Sequence, residues 1–374
     1  MKMSGSLYIH IPFCSKRCHY CHFYVLLDQP SLHQVLLDGL KSELELHREW
    51  LENHKLVSIY FGGGTPSKLA PELIAEILSW LGSLDPNIEI TLEANPEDVD
   101  AERMREYRRA GINRVSLGVQ TLDEKRLLSI GRSHSGAQAL GAAQAAYEGG
   151  IENISVDLMI DLPGHKSGDV RRDVARLIEL PITHLSLYNL TIEEPSLFFR
   201  RKAIIEKEMP SDEISLALLE EAVDALELAG LQRYEISAFT RGNLPSVHNM
   251  GYWTGRPYLG LGPSACSYMG GRRSRNVANL RRYAALLSEG RDPRDFEESL
   301  SPELARRELL AIGLRLIDGI DLQCFVERHG LLSSESEQAI EDLIVDGLLA
   351  RSESRLKLTA HGLLFHDLVA TRLI

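Results

Sequence analysis

The sequence predicts an α/β fold, a partial (β/α)6 TIM-like barrel over residues 1–240, followed by a connecting segment over 241–295 and a smaller α+β, winged-helix-like domain over 296–374. Three observations predict it. Short β-branched runs alternate with amphipathic helical stretches through the first part of the chain. Each run ends in a polar or glycine-rich loop. Beyond Pro195 the alternation stops and a different order of elements begins.

Strands are expected at Leu7 to Ile11, Leu56 to Phe61, Ile88 to Leu92, Arg114 to Gly118, Ile154 to Leu158 and His184 to Tyr188. Between them the 3.6-residue period predicts helices at Ser31 to Asn53, Pro71 to Leu81, Ala101 to Ala110, Ala137 to Glu148 and Asp169 to Glu179. Strands separated by helices must be parallel, and right-handed crossovers curl such a sheet toward a barrel. A long helix then covers Asp212 to Ala229, a short apolar run covers Tyr234 to Phe239, and the aromatic, glycine-rich stretch His248 to Gly271 reads as loop-like. Helices at Pro302 to Ile317 and Ser334 to Asp346, two short runs across Leu349 to Leu358 and a last helix give the winged-helix-like order. That shape is often associated with DNA, but neither Ser334 to Asp346 nor the wing is strongly basic, so it reads as a packing domain.

Composition excludes several classes. With 44% hydrophobic and 25% charged residues the chain can bury a substantial core and is not a disordered sequence. A formal net charge of -12 disfavours nucleic acid as a partner. No apolar run reaches the length of a membrane span, and no signal-peptide pattern is present, so a cytoplasmic protein is expected. In a reducing compartment its cysteines are free to bind metal.

Three of the five cysteines, Cys14, Cys18 and Cys21, have C-x3-C-x2-C spacing. On a helical turn, steps of four and three residues bring the sulfurs within roughly a 60° arc. The spacing fits a 4Fe-4S cluster with three protein ligands, which leaves one iron open to a small molecule. Zinc stays open as an alternative, with His19 or His22 as fourth ligand, although no second cysteine pair is present. A disulfide suits three thiols poorly.

Catalytic and binding groups of such barrels come from the C-terminal ends of the strands. There this sequence places the cysteines, Gly62-Gly63-Gly64-Thr65-Pro66, Glu93-Ala94-Asn95-Pro96, Val119-Gln120-Thr121, Asp157 with Asp161-Leu162-Pro163-Gly164, and Asn189-Leu190-Thr191. The triple glycine reads either as close backbone approach to a small polar ligand or as a tight turn. Glu93 and Asp157 sit where a carboxylate needs a cation, a hydroxyl or a backbone donor, and pairing with Arg114 or Arg132 would satisfy them structurally.

Together, YIHIPFC, the cysteine loop, FGGGTPS, EANPE, NRVSLGVQT, Gly131-Arg132, VDLMIDLPG and His248-Asn249-Met250-Gly251-Tyr252-Trp253 identify a resemblance that covers nearly the whole chain. The chain resembles the radical S-adenosylmethionine (SAM) proteins, within the oxygen-independent coproporphyrinogen oxidase-like group that includes the HemW-type heme chaperones. The resemblance implies that Cys14, Cys18 and Cys21 hold a 4Fe-4S cluster. It implies SAM contacts at Tyr8, Tyr20, Gly63, Gly64, Thr65, Glu93, Gln120, Arg132 and Asp157.

Two departures select the branch. The dehydrogenases of the group have a fourth cysteine two places after the third and an extension ahead of the tyrosine, whereas this chain has Phe23 there and seven residues before Tyr8. The resemblance then implies a heme chaperone, with His248 as the heme-iron ligand, and keeps coproporphyrinogen III dehydrogenase as the alternative. Heme and acceptor hemoproteins of the respiratory chain are the implied partners. A homodimer and a peripheral membrane contact through those partners stay open. Relatives often have histidine where Cys266 stands, so that thiol reads either as a heme contact or as a small buried side chain.

Overall fold

The computed structural model describes residues 2–374. Its main sheet has twelve strands: β1 (Met3–Ile11), β2 (His54–Gly63), β3 (Glu89–Ala94), β4 (Arg114–Gln120), β5 (Asn153–Ile160), β6 (His184–Asn189), β7 (Gln232–Glu235), β8 (Ala238–Thr240), β9 (Tyr258–Leu261), β10 (Cys266–Met269), β11 (Arg272–Asn276) and β12 (Arg294–Ser299). Their order is β12-β11-β10-β9-β1-β2-β3-β4-β5-β6-β8-β7. From β9 through β6 every pairing is parallel, and the strands on both flanks are antiparallel.

The six expected strands form because their apolar runs are covered on both faces, as parallel sheets require. Leu7, Ile9 and Ile11 of β1, Ile59 and Phe61 of β2, and Val115, Leu117 and Val119 of β4 are fully buried in one core. The helices on the outer face supply the other half, and Asp100, Asp123 and Ser135 cap three of them through backbone N–H groups. The stretch expected as one helix from Ser31 is two, Pro30–Leu46 and Arg48–Asn53, with His47 between them.

The region 241–295 differs from expectation. His248 to Gly271 is not loop-like: it contains the helix Val247–Trp253 and strands β9 and β10. β9 is short and carries a glycine, and its strand state comes from pairing with β1 at Ser6↔Tyr258 through Ile9↔Leu261 rather than from its own pattern. β12 is exposed at every residue, so no apolar period marks it.

A second core beyond residue 300 gathers Leu310, Leu314, Ile340, Leu343, Leu356 and Val369 and meets the main sheet at Tyr258 and Tyr268. The hairpin Leu349–Ser352 with Arg355–Leu358 is joined by Ile320–Asp321 into a three-stranded sheet, and a helix Leu322–His329 precedes Ser334–Val345. No helix among the described residues is long and apolar enough to cross a membrane.

Candidate functional site

A cavity of about 420 Å³ opens at the C-terminal ends of β1 to β6. Cys14, Cys18 and Cys21 line it together with Tyr20, Gly63, Gly64, Thr65, Glu93, Gln120, Arg132 and Asp157. Eleven of the twelve expected cluster and SAM residues, all but Tyr8, therefore share one space, although they come from six separate parts of the chain.

The cysteine loop is held by the backbone. Gly64 N–H donates to Ile11 O at 2.8 Å, Thr65 N–H to Phe13 O at 2.7 Å, Leu26 N–H to Pro12 O at 2.7 Å, and His19 N–H to Ile130 O at 2.9 Å. The glycine run serves this contact. A Cβ on Gly64 would lie 2.7 Å from Pro12 C and 2.8 Å from Phe13 O, and one on Gly63 would lie 2.4 Å from the His10 ring. Gly63 also has φ of 108°, in the left-handed region. Close approach is real, but its partner at these two positions is the loop that carries the thiols and the histidine behind it.

Thr65 Oγ1 donates to Cys14 Sγ at 3.4 Å, and Arg132 Nη1 donates to Cys18 Sγ at 3.6 Å. Arg132 is buried and fixed by Nη2 bonds to Gly118 O at 2.6 Å and Asn95 Oδ1 at 2.7 Å, while its Nε has no partner. Burial pushes the Cys14 thiol up to about 11, so a bound metal has to displace its proton. Glu93 accepts from Tyr60 Oη at 2.8 Å and from Gly63 N at 3.2 Å, and burial raises it to about 7. Asp157 is raised too, mainly by burial, against hydroxyl bonds from Ser186 and Ser116 and the charge of Arg114. Gln120, at the end of β4, is buried with φ of 68°, a non-glycine left-handed residue at the rim.

These residues fit the groups implied for them. Three thiols face one space, as ligands of a shared cluster must. His22 lines the cavity, whereas His19 Nδ1 is bound to Ser129 O at 2.7 Å. Beside the cysteines, two carboxylates with raised protonation and an arginine with an orphaned Nε offer complementary partners to the ammonium and carboxylate of an amino acid.

Two expected residues stand apart. Tyr8 does not line the cavity; it lies behind Gly62, with its hydroxyl 3.2 Å from His10 Nδ1. His248 is buried, with Nδ1 3.0 Å from Ser58 Oγ and Nε2 2.9 Å from Tyr252 Oη. Both ring nitrogens are engaged, so His248 presents no free imidazole to heme iron in this conformation. The backbone N–H groups of Val247 and His248 both donate to Glu89, at 2.9 Å each, which anchors the start of this helix. Cys266 is exposed on β10 and lines no part of the cavity.

Sequence reasoning placed Asn95 at the rim without giving it a contact, and missed Ser116, Gly118 and Tyr188, which had no signal beyond their position near strand ends.

Residues 8–177 match the model of the Radical SAM superfamily, and residues 300–365 match the HemN C-terminal domain. The heme chaperone HemW of Bacillus subtilis is 34% identical over 96% of this chain and 96% of its own length. The heme chaperone HemW of Escherichia coli is 32% identical over 96% of this chain and 95% of its own. The structure of coproporphyrinogen III oxidase (HemN) from Escherichia coli, a radical SAM enzyme, covers the whole chain and 90% of its own with a TM-score of 0.86 at 23% identity, a likeness of fold. With matching motifs at one cavity and relatives alike from end to end, the chain belongs to the HemW family within the radical SAM superfamily, which implies a 4Fe-4S cluster and SAM.

Proposed function

We propose that this protein is a heme chaperone, which binds heme and transfers it to hemoproteins of the respiratory chain. The observation that carries the reading is end-to-end likeness to heme chaperones, joined to an intact three-cysteine cavity that has Phe23, not a fourth cysteine, beside it. When bound, the cluster supplies an electron to the sulfonium of SAM. The residues of this chain do the positioning: Cys14, Cys18 and Cys21 hold the cluster, Glu93 and Asp157 take the cationic side of SAM, and Arg132, Gln120, Gly63, Gly64, Thr65 and Tyr20 form the remaining wall. Burial of Glu93 and Asp157 keeps water from screening those contacts. The reading places the protein in the cytoplasm, with acceptors reached by protein contact, and is compatible with a homodimer.

The alternative is an oxygen-independent coproporphyrinogen III dehydrogenase, favoured by the shared fold alone. One anaerobic preparation tests both. Heme titration should give a stoichiometric complex, and reduced protein with SAM and coproporphyrinogen should give no product; vinyl-bearing product without heme binding would reverse the assignment. A colourless protein with stoichiometric zinc after reconstitution would overturn both.

A further inference from the structure

A small polar void adjoins Cys18. Lys16, Cys18, Asn95, Glu97 and Arg132 share its wall, and its volume of about 10 Å³ is room for a single water. Glu97 brings to this wall a partner that the SAM cavity does not use, His134.

Both side chains are fixed by their own segments. Glu97 lies in the turn Pro96–Asp98 that follows β3, and Asp98 ties that turn to Ser67 Oγ at 3.1 Å and to Lys68. His134 precedes Ser135, the N-cap of the helix Gly136–Glu148. Its side chain is fully buried, whereas Glu97 keeps 19% of its side-chain surface exposed. His134 Nε2 lies 3.1 Å from Val119 O of β4, and its Nδ1 lies 3.4 Å from Glu97 Oε2. A carbonyl only accepts, so Nε2 carries a proton. In a neutral imidazole Nδ1 then has only a lone pair, which faces a carboxylate oxygen. Neither of those two atoms has a hydrogen-bond partner among the described residues. Two acceptors meet in a buried contact, and one further proton between them turns it into a charge-assisted bond.

The neighbouring charges decide whether that proton is present. Burial works against ionisation of Glu97, but the His134 contact, its own backbone N–H and the charge of Arg132 outweigh it and hold the carboxyl below its ordinary value. Arg132 in turn reaches Cys18 Sγ through Nη1 at 3.6 Å, and Lys16 Nζ donates to Arg132 O at 3.2 Å. On the turn itself Asp98 is bound to Lys68, and beside the capped helix Glu124 accepts from Gly136 N at 2.8 Å. The two cations nearest Cys18 therefore oppose a proton on His134, and negative charge added at Cys18 relieves that opposition.

We propose that Glu97 and His134 form a redox-linked proton site. When one electron enters the cluster from an outside reductant, His134 Nδ1 takes one proton from solvent by way of the partly exposed Glu97, and reoxidation releases it. The two act through Arg132, as positioning residues. The proposal rests on the cluster assigned to the three cysteines and not on heme, so a heme titration tests the chaperone reading separately.

Anaerobic potentiometry of the full-length, cluster-loaded protein without SAM tests it over about pH 6 to 9, where an imidazole titrates. Reduction should weaken up to about tenfold for each pH unit gained, which is about 59 mV for one electron. His134→Gln and Glu97→Gln should both flatten this profile while iron and sulfide content hold. A flat wild-type profile would overturn the site. So would a slope that persists in both variants, or one that only Glu93→Gln removes, since the proton then belongs to the SAM cavity. A measurement on the cluster-free protein keeps the test open if a variant fails to load: imidazole nitrogen NMR at about pH 8 should show His134 protonated at Nε2 and bare at Nδ1. The opposite tautomer, or an imidazolium already formed, would leave no place for the proton and overturn the proposal.

Discussion

The hydroxyl of Tyr60 donates to Oε1 of Glu93 at 2.8 Å, and the ring of the same tyrosine lies 4.9 Å from that of His248. One side chain thus touches both the cofactor cavity and the helix that starts the aromatic stretch.

Glu93→Gln tests the buried carboxylate. Its ordinary value is 4.5, and burial lifts it to about 7 in the native protein. Below pH 4.5 both states are protonated; between 4.5 and 7 the unfolded chain ionises first, so this group costs stability increasingly as pH rises. Thermal melts should show Glu93→Gln gaining on the wild type toward pH 8, with the gain absent below pH 4.5. SAM affinity of the cluster-loaded wild type should rise from pH 6 to 8, and stay weak and flat in the variant.

Gly64→Ala should lose cluster before it loses its fold. The new Cβ meets Pro12, Phe13 and Ile11 backbone atoms at 2.7 to 2.9 Å, so the thiol-bearing loop must shift. Destabilisation of about 1–3 kcal/mol is expected for such overpacking. Iron and sulfide content after reconstitution checks it, and wild-type loading would contradict it.

Arg132→Met should leave Gly118 O and Asn95 Oδ1 without their donor and remove the cation beside Cys18. A cost of about 1–3 kcal/mol follows from the unsatisfied acceptors. The reduction potential of the cluster should fall, because a positive charge next to a thiolate stabilises the reduced, more negative form; potentiometry under anaerobic conditions reads it.

Glu89→Gln should loosen the helix Val247–Trp253 without touching the cysteines. Its two oxygens take the N–H groups of Val247 and His248, and Arg114 lies 3.9 Å away, so breaking the buried pair should cost about 3 kcal/mol. Amide exchange at Asn249 to Trp253 should accelerate while iron content holds.

How far the sequence spoke depended on what each element leans on. β1 to β6 were legible because each is an apolar run buried on both faces, a property of the run itself. The thiols were legible from spacing, and Glu93 and Asp157 from the oddity of carboxylates at strand ends. β9 and β12 were not, since one is a strand through its pairing with β1 and the other is wholly exposed. Gly63 and Gly64 were legible as points of close approach, but not that the backbone approaching Gly64 is that of the cysteine loop. Tyr8 and His248 turned inward because β1, β2 and the helix at 247 close over them, a long-range fact that no local pattern encodes.

The thiol-bearing loop is laced to the sheet through main-chain atoms of Ile11, Pro12, Phe13 and His19. None of those bonds uses a sulfur. Oxygen damage that strips the iron would then leave the cradle standing, and reassembly from iron and sulfide could proceed on an already folded chain, without a round of unfolding and degradation.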